Sequence, residues 1–181
     1  MSSWIPDRAA LYYVLLFFVG AVLGWCMEVI CKLFQFHRFI NRGFLIGPYC
    51  PIYGFGTALL TALLSRFTRD PVAVFGLAIL ICGTLEYCTS WLMETLFHAR
   101  WWDYSSKPFN INGRVCANTL IPFGLLGLGM IYFVKPFLFA RFDRLPDAWV
   151  LGLSAGLTAL LCADLALIQQ EGMREAVKSI I

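Results

Sequence analysis

Charged residues divide this chain into long apolar runs. Ala9 to Met27 carries no charge over 19 residues, Gly43 to Ser65 over 23 and Val115 to Val134 over 20. A hydrocarbon core about 30 Å thick takes about 20 apolar residues per helix, so each run is long enough to span alone. Pro71 to Leu85 and Ala148 to Ala163 are shorter, but each continues apolar past a single acid. The pattern predicts five transmembrane helices, near residues 9–34, 51–66, 72–97, 115–139 and 148–169, forming an all-α integral membrane protein with 1–181 as a single transmembrane domain. The first run is too long for a signal-peptide core and only Arg8 precedes it as a basic residue, so it reads as a retained helix.

Composition agrees with this reading. Of the 181 residues, 60% are hydrophobic and only 14% charged, against about a quarter charged in an ordinary soluble domain. Five helices use well over half the chain, which leaves no space for a soluble catalytic or ATP-binding module. The net charge of +3 gives no reason to expect nucleic acid. The seven cysteines form no Cys-x-x-Cys pair and read mostly as small apolar residues. Cys50 and Cys116 lie in polar segments facing one side, where a bridge between them stays an open option.

Helix direction brings the acids together. Glu28 lies near the end of the first helix, Glu94 in the last turn of the third with Glu86 about two turns deeper, and Asp164 toward the end of the fifth. These helices run the same way, so all four acids are expected in one half of the bilayer, beneath the connections that follow helices one and three. An ionised side chain there costs about 2.5–3.5 kcal/mol even on a lenient scale, so it normally faces the bundle interior or water. Glu86, Ser90 and Glu94 recur every fourth position and share one helical stripe. The plainer reading pairs Glu28 with Lys32 and Glu94 with His98 as interfacial anchors; no cation lies within a turn of Glu86. Lys and Arg counts of six on the N-terminal face and eight on the other barely separate the two orientations; the expected arrangement is a cell-membrane protein with a cytoplasmic N-terminus.

Both connections on the acid side carry polar motifs. The first, Asn41-Arg42-Gly43 through Tyr53-Gly54-Phe55-Gly56, is apolar enough to enter the membrane, yet its glycines and prolines disfavour a continuous helix. A broken or re-entrant entry to helix two follows, of the kind that exposes backbone groups to a ligand; the simpler alternative is that Pro51 starts helix two at its first turn. The second runs from Arg100 to Cys116. An aromatic belt accounts for its Trp and Tyr residues, but not for Asp103, Asn110, Asn112 and Arg114 among them. It is expected to fold as a polar lid over the acids, with Arg100 or Arg114 paired to Glu86 or Asp103.

Gly24-Trp25-x-x-Glu28, the 41–56 stretch, Glu86-Tyr87, Arg100-x-Trp102-Asp103-Tyr104 and Asn112-Gly113-Arg114-Val115-Cys116 resemble the CmpB-type ABC-transporter type IV family, over residues 10 to about 130. That family comprises small multi-pass bacterial membrane proteins and has a related eukaryotic transmembrane branch. Many members have Trp-Gly early in the fourth helix, where this chain has Phe123-Gly124. The fifth helix matches least.

Other motifs narrow the chemistry. No Gly-x-x-x-x-Gly-Lys-Ser/Thr loop occurs, so ATP hydrolysis would have to come from a partner chain. His-Glu-x-x-His is absent as well, and no metal or cofactor is expected. Gly152-Leu153-Ser154-Ala155-Gly156 matches the serine-hydrolase pentapeptide, but inside an apolar helix it reads instead as a Gly-x-x-x-Gly packing face, within the chain or against a second copy. Three functions stay open. The first is a permease-like protein whose pocket binds or moves a small solute or a proton. Its residues are Glu28, Asn41, Arg42, Tyr53, Glu86, Ser90, Glu94, Arg100, Trp102, Asp103, Tyr104, Asn110, Asn112 and Arg114, and a homo-oligomer through Gly152 and Gly156 or an ATPase subunit completes it. The second is an intramembrane enzyme acting on a lipid or isoprenoid-type substrate. The third is a non-catalytic accessory subunit in which the polar cluster only stabilises.

Overall fold

The computed structural model describes residues 7–39, 45–98 and 100–178, with side chains to residue 168. The chain is helical: α1 Arg8–Phe36, α2 Pro51–Leu64, α3 Pro71–Phe97, α4 Ala117–Gly129, α5 Lys135–Phe142 and α6 Asp147–Lys178, with a short hairpin of β1 Asn110–Ile111 and β2 Val115–Cys116. A π-helical turn, Met130–Val134, joins α4 to α5 without a break, so that Ala117–Phe142 forms one span. Among the described residues four helices are long and apolar enough to cross a membrane: Arg8–Phe36, Pro71–Phe97, Ala117–Phe142 and Asp147–Ile168. The predicted second span is different. α2 has 14 residues, about 21 Å at 1.5 Å per residue, which is short of the hydrocarbon core.

The helix ends follow from local chemistry. Asp7 caps α1 by accepting the Ala9 N–H at 3.2 Å, and Asp70 caps α3 by accepting that of Ala73 at 3.0 Å, with Pro71 at the first helical position. α1 and α3 both terminate on a histidine in the left-handed conformation, His37 at φ 52° and His98 at φ 53°. Their N–H groups close on the Leu33 and Glu94 carbonyls.

Two compact units result: residues 1–54 with 141–181, and residues 55–140. In the first, α1 packs on α6. Arg8 pairs with Asp147 and donates to the Leu145 carbonyl at 2.9 Å, while Tyr12 donates to Asp143 at 2.8 Å. Ser154, buried on α6, donates to the Leu11 carbonyl at 3.5 Å. The serine of the pentapeptide thus faces α1, whereas a Cβ on Gly152 or Gly156 would meet nothing within 4 Å. Within this unit, and among the described residues, the two glycines thus face open space. In the second unit α3 and α4 pack closely through glycines: Gly83 against Leu120, Gly124 against the Phe75 ring and Gly127 against Ala78.

Candidate functional site

The second unit gathers ten of the expected residues around the C-terminal half of α3. Glu94 is the anchor. Arg114 reaches its Oε2 at 2.6 Å and Arg100 donates to its Oε1 at 2.9 Å, with Arg100 also 3.7 Å from Asp103. The other nitrogen of the Arg114 fork donates to Ser90 at 3.3 Å, and the guanidinium Cζ lies over the Tyr87 ring, 5.6 Å from its centre. The arginine pairings thus fall on Glu94 and Asp103. Neither arginine pairs with Glu86, and the Glu94 carboxylate meets the two guanidinium groups, while His98 caps the helix through its backbone N–H. Geometry explains the choice: Glu94 lies in the last turn, level with the chain as it leaves α3, while Glu86 is eight residues deeper.

The connection from Arg100 to Cys116 is held in shape by its own polar groups. Asp103 accepts both the hydroxyl and the N–H of Ser105, at 2.6 and 2.9 Å. These bonds, with Arg100 beside them, hold its carboxyl below the ordinary carboxylate range, and the bond to Glu94 raises Arg100 in turn. Asn110 accepts the Gly113 N–H at 2.9 Å and donates to the Lys107 carbonyl at 2.8 Å. Trp102 donates its indole N–H to the Arg114 carbonyl at 3.0 Å, and Asn112 donates to the Tyr87 hydroxyl at 2.8 Å. Gly113 is required at φ 68°, and a Cβ there would also strike Ser105 and Asp103.

Glu86 lies beneath this connection. It is 6% exposed and takes hydroxyls from two sides: Tyr104 Oη at 3.2 Å from its Oε1 and Thr119 Oγ1 at 3.2 Å from its Oε2. Thr119 has one proton to share between Glu86 and the Cys116 carbonyl at 2.9 Å. Thr119 escapes sequence reading because a lone threonine at the start of an apolar helix carries no signal; its place as the third residue of α4 is the only clue.

In the first unit Glu28 and Tyr53 meet, with the Tyr53 hydroxyl donating at 2.6 Å. Lys32, the expected partner of Glu28, donates to Gln35 at 2.8 Å instead. Asn41 and Arg42 lie outside the described residues. The acid on α6, Asp164, is buried and holds the segment before α2: it accepts the Ile46 N–H at 3.1 Å, the Gly47 N–H at 2.9 Å and the Tyr49 hydroxyl at 2.5 Å. Burial first, and then this carboxylate, push the Tyr49 phenol above its ordinary value. The backbone donors freed by the broken chain at 46–47 are thus taken up by the protein's own carboxylate. Cys50 and Cys116 form no disulfide.

No curated protein and no solved structure matches the chain. A family model does, over residues 15–168, and its span takes in α6 as far as Ile168 as well as every motif around Glu28, Glu86 and Arg114. The chain is a multi-pass membrane protein, and it belongs to the family described as Putative ABC-transporter type IV.

Proposed function

We propose that the protein is a permease-like component of the cell membrane whose polar site on α3 binds and passes a proton or a small solute. The observation that carries this reading is Glu86, a buried carboxyl on an apolar helix with hydroxyls on both oxygens. A hydroxyl both donates and accepts. Tyr104 and Thr119 can therefore donate to the carboxylate or turn to accept from the protonated acid, so the site supports Glu86 in either state. Burying an acid within a membrane is costly, and such residues mark proton and solute pathways.

The neighbouring groups have supporting roles. Glu94, Arg100 and Arg114 seat the 100–116 connection as a polar lid, and Trp102 and Tyr104 wall the site. Segment 45–50 with the short α2 forms a re-entrant element. The N-terminus is cytoplasmic. A second copy docked through Gly152 and Gly156, or a separate ATPase subunit, completes the machine. The test is reconstitution into sealed vesicles with a trapped pH-sensitive dye and an imposed membrane potential. Protein-dependent proton uptake supports the reading, and vesicles no leakier than empty ones, for protons and for a panel of small cations, count against it.

A second reading as a non-catalytic accessory subunit is favoured by one observation: both arginines of the cluster are engaged by the same acid, Glu94, as in a network that serves stability. A co-purifying ATPase and loss of stability without loss of any flux in acid-to-amide variants would support it.

A further inference from the structure

α2 and α3 do not fill the space between them. Leu59 and Leu63 of α2 and Leu80, Ile81, Thr84 and Leu85 of α3 line a groove of about 390 Å³, a size typical of ligand pockets. At its inner end the helices close, since a Cβ on Gly56 would lie 3.7 Å from Leu85. Past Leu63 the chain turns through Ser65–Phe67 into the connection to α3. Leu59, Leu63 and Leu80 are exposed, so among the described residues nothing covers the groove from the side.

The end toward the connection is basic. Arg66 donates its Nε to the Leu63 carbonyl at 3.3 Å, which ties a guanidinium to the wall of the groove. That bond leaves the two terminal nitrogens without a hydrogen-bond partner among the described residues, and a guanidinium fork matches a phosphate. Arg69 follows, exposed, in the same connection, and Lys135 reaches the same end of α2 by donating to Ser65 at 2.7 Å. The acid of this connection, Asp70, is engaged in capping α3. The dimensions are those of one lipid leaflet: from Gly56, where the groove closes, to Arg66 is ten positions, about 15 Å along a helix, and half of a core about 30 Å thick is also about 15 Å.

We infer that the α2–α3 groove is a site for an anionic phospholipid, with one acyl chain between the leucines of the two helices and the phosphate against Arg66 and Arg69. Basic pockets between membrane helices take such headgroups, and the aliphatic walls hold the tail. Lys135 adds positive charge from the α4 span. A surface that merely faces lipid needs neither a closed inner end nor cations at the outer one; a site for a charged lipid needs both. The site is separate from Glu86, and its occupancy does not depend on what Glu86 carries.

The test is native mass spectrometry of the full chain, with phosphatidylglycerol and phosphatidylcholine of the same acyl chains added in equal amounts. The chain should retain one phosphatidylglycerol, preferred about tenfold over phosphatidylcholine, as two basic residues at a membrane surface allow. Arg66→Gln together with Arg69→Gln should bring the two lipids to equal retention. Leu80→Trp, which fills the groove from an exposed position, should remove retention of phosphatidylglycerol with both arginines in place. Added phosphatidylglycerol should also raise the thermal midpoint of the wild type and leave that of the double arginine variant unchanged. Equal retention of the two lipids by the wild type, or a preference that survives either variant, would overturn the site. Retention of a six-carbon-chain phosphatidylglycerol as strong as that of the long-chain lipid would overturn it too, because headgroup charge alone would then bind. A second copy of the chain retained in place of lipid, and lost in Leu80→Trp, would assign the groove to a dimer instead.

Discussion

Arg114 and Glu94 close to 2.6 Å across twenty positions of sequence, and with this ion pair the whole 100–116 connection is seated on α3. Arg114 is the less exposed of the two arginines on this acid, at 11% against 32% for Arg100. It also donates to Ser90 and lies over the Tyr87 ring. A planar fork used in several directions is not replaced by an ammonium. Arg114→Ala should lower the thermal midpoint by several degrees and by more than Arg100→Ala, and Arg114→Lys should recover little of it. Melting of the three purified variants checks this; equal midpoints for all three would show that the fork is not what seats the connection.

Asp164 carries a comparable load in the first unit. Asp164→Ala leaves two backbone amides and the Tyr49 hydroxyl without their acceptor, at about 1–3 kcal/mol for each buried group left unsatisfied. Asp164→Asn should fall between, because the amide retains one oxygen but turns an NH₂ toward these donors. Limited proteolysis at 45–50 and thermal unfolding read out the order wild type, Asn, Ala.

The spans were legible because charge-free runs report directly on the apolar length a membrane requires, and the predicted bounds 72–97 differ from Pro71–Phe97 by one residue. The length of α2 was not legible. The run from Gly43 to Ser65 is apolar throughout, and composition cannot reveal that residues 45–50 are non-helical, bound by an aspartate more than a hundred positions later. At the site, residue types were readable but pairings were not. By sequence Arg114 could meet Glu86 or Asp103, and only the folded geometry shows that Glu94 is the acid in reach. Tyr49 and Thr119 were missed because one hydroxyl in an apolar segment is ordinary until its partner is known.

Glycine contacts separate packing positions from open ones. A side chain at Gly124 would collide with the Phe75 ring, so Gly124→Val should destabilise by about 1–3 kcal/mol, the usual cost of overpacking. Gly152→Ala meets open space and should be neutral or gain up to about 1 kcal/mol from helix propensity. Denaturation of the two variants side by side decides it.

Acid should loosen the connection through Asp103. Its carboxyl is held below the ordinary range in the folded protein by Ser105 and then Arg100. A lowered folded value means that the contribution is present above the ordinary aspartate value of about 3.9 and is lost as pH falls through the folded one. Fluorescence of Trp101 and Trp102 should therefore report loosening below about pH 4, and Asp103→Asn should remove that step while leaving the signal at neutral pH near the level of the acidified wild type.

Flux through sealed vesicles containing equal amounts of folded wild type and Glu86→Gln tests whether Glu86 carries a proton or cation. Glutamine keeps the size and hydrogen-bonding capacity of the side chain but cannot ionise. Protein-dependent flux is expected in the wild type, with at least a tenfold fall in Glu86→Gln and Tyr104→Phe intermediate. Undiminished flux in a folded Glu86→Gln protein would contradict it.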